Sequence, residues 1–357
     1  MSSWTSRNIP RRRDLSQIPE ELRPATPIPR SERTEVVLSE SYKQQEDAHP
    51  FFSATYPSGG YNPVYYPASG TKGGFKSESN ELSTLLTSMT AQYSGVHPPH
   101  PEAKELVVNG KTYVFVILRH IRTPSDNDLW ITSYNSIRRH YTNKIIIIDD
   151  NSMLNTVNGK LYQTEILQSD YAGAGETLPY YYFLMYRWAD RMIFVHDTMF
   201  LYRPFRTEEV DTDCRFHWSF INSDATSTAR LQQILPSLKN HQELMPYINQ
   251  PESWRACFGV AMVVGIEVVE QLEQKYKLFS TMIMMVRNRK DREMAERLVG
   301  LVLFHEGIVT TENCSNFGDI LAYPSAFQSE WSNLSTARYQ LEQVGYNSAL
   351  IKVWRGR

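Results

Sequence analysis

From Glu105 onward, apolar runs alternate with polar stretches of helical period, and this alternation predicts the fold class. ELVVNGKTYVFVILRH places Asn109-Gly110 between two β-rich runs, a hairpin signal, and the second run continues as a strand to Leu118. The next stretch, TPSDNDLWITSYNSIRRHY, offers Ser125 as an N-cap and then repeats Trp130, Tyr134, Ile137 and Tyr141 at helical spacing. KIIIIDDNS, beginning at Lys144, is too short and too uniformly apolar for anything but a strand covered on both faces. TEILQS and RMIFVHD read as further strands, separated by a helix at LPYYYFLMYRWA. Repeated strand, helix, strand predicts an α/β domain, a mostly parallel Rossmann-like sheet flanked by helices.

Farther along, ARLQQILPSLKNHQEL reads as helical and CFGVAMVV as an apolar segment interrupted by glycine. IEVVEQLEQKYKLF is a helix, and a longer one covers roughly Lys290 to His305. LSTARYQLEQVGYNSALIKVW predicts one more helix and a short final strand. Residues 1–104 break the pattern, because stretches such as SATYPSGGYNPVYYPASGTKGGF mix Gly, Pro, Ser and Tyr without any period. They are expected to form a disordered arm, its tyrosines either solvated or docking a partner. The folded domain is expected over residues 105–357.

Composition narrows the function classes only slightly. The chain has 357 residues, and 37 Lys+Arg against 39 Asp+Glu give a formal charge of -2, so nothing overall argues for a nucleic-acid partner. Cys214, Cys257 and Cys314 lack the number and spacing of a disulfide framework or structural zinc site, which fits a reducing compartment. No apolar run is long enough to span a bilayer, and MSSWTSRNIPRRRDLSQ lacks a secretory apolar stretch, so a cytoplasmic location is expected.

The chemistry-bearing residues gather at predicted strand ends. In open parallel sheets, ligands bind beyond the carboxyl ends of the strands. Asp149 and Asp150 close one strand; they can accept hydrogen bonds from a nucleoside, with Asn151 and Ser152 shaping the turn, or they can simply cap that turn. MIFVHDTMF offers His196 and Asp197 at a second strand end, where a carboxylate suits Mg²⁺ or Mn²⁺ shared with a diphosphate. Between them, Gly173 and Gly175 either let backbone amides approach a phosphate or serve as a flexible connection.

RNRKDREMAERLVGLVLFHEG crowds charge into the front of a helix. Asp291 and Glu296 are candidates for a general base, and Arg292 suits a phosphate or acidic acceptor; i,i+4 surface ion pairs such as Arg292 with Glu296 are the bland alternative. Trp254 and Phe258 beside Gly259 either floor an acceptor loop or pack the core.

Taken together, IIIIDDNS, FVHDTMF and DREMAER resemble the nucleotide-sugar-dependent glycosyltransferases of GT-A fold, particularly the family-2-like group, over about residues 112–320. ETLPYYYF, FVHDTMFLYRPF, WRACFGV and DREMAERLVGLV are similar to patterns in little-characterised GT-A-like proteins of large DNA viruses and unicellular eukaryotes. The resemblance implies transfer of a sugar from a nucleoside diphosphate sugar to a hydroxyl on a glycan, protein or lipid. It assigns nucleotide contact to Asp149 and Asp150, to which Arg119 is added, and the base to Asp291 or Glu296. It assigns a divalent metal, Mn²⁺ or Mg²⁺, to Asp197. Thr198 stands where a second metal-binding acid is usual, so His305 is the expected second ligand if a metal is held. The rival expectation is an inactive GT-A-shaped scaffold that binds proteins through its Tyr/Pro-rich arm.

Overall fold

The structure, a computed structural model, describes residues 95–153, 157, 159–222, 225–322 and 348–353. The expected arm lies outside the described residues as far as residue 94, as does the helix expected before the final strand. Residues 95–104 are held against the folded domain. His97 N–H donates to Asn135 Oδ1 at 2.8 Å, and Lys104 N–H donates to the His140 carbonyl at 3.1 Å.

The central sheet is built from β1 (Val107–Val108), β2 (Lys111–Arg119), β3 (Ile145–Asp149), β4 (Thr164–Gln168), β5 (Arg191–His196), β7 (Cys214–Phe216) and β10 (Met262–Gly265). Its order is β4-β3-β2-β5-β10-β7, with β1 paired to β2. β4, β3, β2 and β5 run parallel, and β10 runs antiparallel to both β5 and β7. The apolar run of β3 is the clearest case of sequence dictating environment. Ile145 to Ile148 are fully buried, each stabilising the fold by about 1.5–3 kcal/mol relative to exposure, which a doubly covered strand delivers.

Helices cover the sheet: α1 (Pro124–Arg138), α2 (Leu178–Tyr186), α3 (Ala225–Ile234), α4 (Ile266–Tyr276), α5 (Leu278–Met285) and α6 (Arg289–His305). α1 is capped by Thr123 rather than Ser125: its hydroxyl accepts from Asp126 N–H while the Asp126 carboxylate accepts from Thr123 N–H, and Pro124 fills the first turn. The apolar stretch expected after α3 resolves into β9 (Ala256–Cys257), which pairs with β8 (Ser219–Phe220), and β10. The final strand β11 (Leu350–Lys352) pairs antiparallel with β6 (Met199–Leu201), just after β5.

This topology fixes the position of a crevice. From β2 the chain builds outward through β3 and β4, then returns to the other side of β2 to lay down β5. Strand order therefore reverses at β2, and the gap beyond the carboxyl ends of β2 and β5 is where such sheets accept ligands.

Candidate functional site

Register brings the first pair of charged residues together. β2 and β3 end level, with Arg119 opposite Asp149, and the Arg119 Nε–H donates to Asp149 Oδ2 at 2.7 Å with both side chains 0 % exposed. The Asp149 Oδ1 accepts from Ser152 N–H at 2.9 Å and from Gln168 Nε2 at 3.2 Å. Arg119 also lies over the Trp130 ring, 4.8 Å from its centroid. Burial draws the guanidinium below its ordinary value, while Asp149 opposes that shift. Asp149 and Arg119 thus serve the sheet end itself. The Ser152 hydroxyl accepts from Ile121 N–H at 2.8 Å, and Asn151 occupies the left-handed region at φ 60° on the exposed turn.

Asp150 reaches in the other direction. Its Oδ1 accepts from Gly173 N–H at 2.7 Å and its Oδ2 from Gly175 N–H at 3.0 Å. The glycine loop's amides, expected to face a phosphate, hold this carboxylate. Both glycines have positive φ, 83° and 50°, and a side chain on Gly175 would run into Arg292, so the loop's path requires them. Burial raises the Asp150 pKa against the pull of those two amides. After this loop α2 begins at Leu178 without a side-chain cap, and the Thr177 hydroxyl donates instead to the Ala174 carbonyl at 2.8 Å.

Glu176 and Arg292 form the next pair, at 3.3 Å. Burial raises the Glu176 pKa; Arg292 and, less strongly, Lys352 favour its ionised form. The i,i+4 partnership of Arg292 with Glu296 is absent. Glu296 is held at the far end of the crevice, where its Oε1 accepts from Gly259 N–H at 2.7 Å and its Oε2 lies 3.8 Å from Arg297 Nη1. Burial pushes its carboxyl up to about 8, with Arg297 and the Gly259 amide opposing. Gly259 is a two-sided clamp, because its carbonyl is 2.7 Å from His196 Nε2. A carbonyl only accepts, so Nε2 carries the His196 proton. At φ 60°, with the His196 ring against its Cα, Gly259 admits no side chain.

The two candidate bases are therefore separated by their surroundings. Asp291 is the third residue of α6 and completes its capping box with Asn288; it accepts from Arg287 N–H at 3.0 Å and Asn288 N–H at 3.2 Å, and it pairs with Arg230. Its oxygens are used in starting the helix. Glu296, five residues later, is the acid bonded to Gly259, whose carbonyl meets His196 at the end of β5. Trp254 is fully buried, and its indole N–H donates to the Tyr247 carbonyl at 3.0 Å, so it packs the core; the half-buried Phe258 is the aromatic beside Gly259.

Asp197 stands at the end of β5, its N–H donating to the Leu118 carbonyl at 3.1 Å, with its side chain buried. His305, its expected co-ligand, belongs to another cluster. With Glu243 and Glu306 it brings ligand atoms within 4.8 Å of one another, an arrangement that could hold a metal ion. Lys275 already lies in that cluster, its ammonium 2.8 Å from both Glu243 and Glu306. His305 closes α6, nine residues beyond Glu296, about 13 Å along the helix axis. The residue that does reach Asp197's neighbour is one that sequence reading missed: Lys352 on β11, whose ammonium donates to Thr198 Oγ1 at 2.5 Å. Among the described residues, the group of three His, Cys, Asp or Glu ligand atoms that could hold a metal ion is Glu243, His305 and Glu306, away from Asp197.

No helix among the described residues is long and apolar enough to cross a membrane. Neither protein-family models nor curated proteins give a match to this chain.

Proposed function

We propose that this crevice binds a nucleoside diphosphate sugar and transfers the sugar to an acceptor hydroxyl, on a GT-A-like framework. The observation that carries the reading is Glu296: a carboxylate at the switch-point crevice, oriented by the Gly259 amide and titrating near neutrality, as a general base should. In the reaction, Glu296 accepts the acceptor's hydroxyl proton. The acceptor oxygen then bonds to the anomeric carbon as the bond from that carbon to the diphosphate oxygen breaks, and the departing diphosphate keeps the electron pair. Arg292, packed against Gly175 and paired with Glu176, is a cation beside the glycine loop and suits the charge that develops there.

The test is nucleoside diphosphate release by the full chain with a panel of donor sugars and hydroxyl acceptors. Glu296→Gln is expected to lower turnover by about 10²- to 10⁴-fold, the usual contribution of a general base, while leaving nucleotide affinity within a few-fold. Equal turnover in wild type and variant would remove Glu296 from the mechanism.

One observation favours the second reading, a non-catalytic scaffold. Asp149 and Asp150, the acids expected at the nucleotide, have their carboxylates committed to Arg119, Ser152, Gln168, Gly173 and Gly175, so the fold itself accounts for both. A chain that binds no nucleoside diphosphate in calorimetry would take that reading, and the search would move to protein partners of residues 1–104.

A further inference from the structure

At the end of β5 the Thr198 hydroxyl, an oxygen that could otherwise reach a cation beside Asp197, is already bonded to the Lys352 ammonium. We infer that the anionic ligand of this crevice is held by the Lys352 ammonium and the Arg292 guanidinium, without a divalent cation. The inference rests on the nucleotide-sugar reading above and specifies how the diphosphate is recognised.

Lys352 is 7 % exposed, which is uncommon for lysine. It is held there by backbone pairing on both sides. β11 sets Lys352 opposite Met199, and Val353 N–H donates to the Thr198 carbonyl at 3.0 Å. Its ammonium bonds the Thr198 hydroxyl, lies 5.9 Å from the Phe258 ring centroid, and favours ionisation of Glu176. Glu176 in turn pairs with Arg292 at 3.3 Å, so the fields of both basic side chains act on this one carboxylate.

This arrangement decides between the two ways of neutralising a diphosphate. A divalent ion bound through Asp197 and Thr198 would share Thr198 Oγ1 with an ammonium already bonded to it, and like charges at that separation repel strongly in a poorly solvated site. An ammonium and a guanidinium supply the same positive charge together with N–H donors, and both are established partners of phosphate oxygens. The position at which a second metal-binding acid is expected thus carries a hydroxyl whose role is to orient Lys352.

The experiment is calorimetric titration of the full-length protein with UDP, GDP, ADP and CDP, once in excess EDTA and once in excess Mn²⁺. One of these nucleotides is expected to bind with an affinity that differs by no more than about threefold between the buffers. In EDTA, Lys352→Met is expected to weaken that binding by about 10- to 100-fold, the loss of one charge-assisted hydrogen bond, and Lys352→Arg to restore most of it. Arg292→Gln provides the same readout should Lys352→Met fail to fold. Binding that requires Mn²⁺ would overturn the inference and leave the nucleotide reading standing. Undiminished binding by Lys352→Met or by Arg292→Gln in EDTA would also overturn it, and binding of none of the four nucleotides in either buffer would overturn both.

Discussion

Replacing Glu296 by Gln should stabilise this protein at neutral to mildly alkaline pH, an unusual outcome for a buried polar substitution. A folded-state value of about 8 against an ordinary 4.5 means that the folded chain holds this proton more tightly than the unfolded chain. The sign follows: stability is fully present below about pH 4.5 and is lost as pH rises toward about 8. At about 1.4 kcal/mol per unit, the loss between about pH 5 and about pH 8 is roughly 3.5 kcal/mol. The side chain keeps 16 % of its surface in water, and solvent screening brings this to about 2–3 kcal/mol. Gln mimics the protonated acid: its carbonyl still accepts from Gly259 N–H, and it does not ionise. In thermal unfolding of the two proteins side by side, the variant's advantage should grow from near zero at about pH 5 to about 4–12 °C at about pH 8. His140 and His217, kept neutral by burial at about 4, tilt both profiles in the opposite direction and cancel in the difference. Parallel profiles would mean that Glu296 titrates like an exposed acid, and the argument for it as a base near neutrality would fall.

Three further outcomes follow from the same contacts. Turnover divided by KM should rise with pH through about 8, because Glu296 must lose its proton to act; a profile flat from about pH 6 to about pH 9 contradicts this. Arg119→Met should cost about 3–5 kcal/mol in urea unfolding, since it leaves Asp149 charged and fully buried without its partner, and a loss below about 1 kcal/mol would show that the pair is not structural. Gly259→Ala should move the pH midpoint of activity and lower turnover, because the new methyl displaces the His196 ring and with it the amide that orients Glu296; an unchanged profile would show that the clamp does not matter.

What was legible in the sequence is what depends on local periodicity. The isoleucine run of β3, the apolar stretches of β2 and β5 and the amphipathic course of α6 each carry their own signal, and each forms close to where the pattern placed it. The direction of β10 was not legible, because an apolar run looks the same whichever way it enters a sheet. Two local signals were present but easily misread. Thr123-Pro124 with Asp126 is a better helix start than Ser125, and Asn288 three residues before Asp291 marks that acid as a cap, which by itself separates it from Glu296. The chemistry of the crevice depends instead on long-range register. Asp149 meets Arg119 because two parallel strands end level, and Asp150 meets the glycine amides because the loop after β4 folds back across the sheet end. Lys352 reaches Thr198 across 154 positions of sequence, through a three-residue strand that pairs with another three-residue strand. No composition or spacing rule connects those two residues. Yet their contact matters most for the proposed reading of the site, because it sets a buried ammonium against the hydroxyl that stands where a second metal-binding acid was expected.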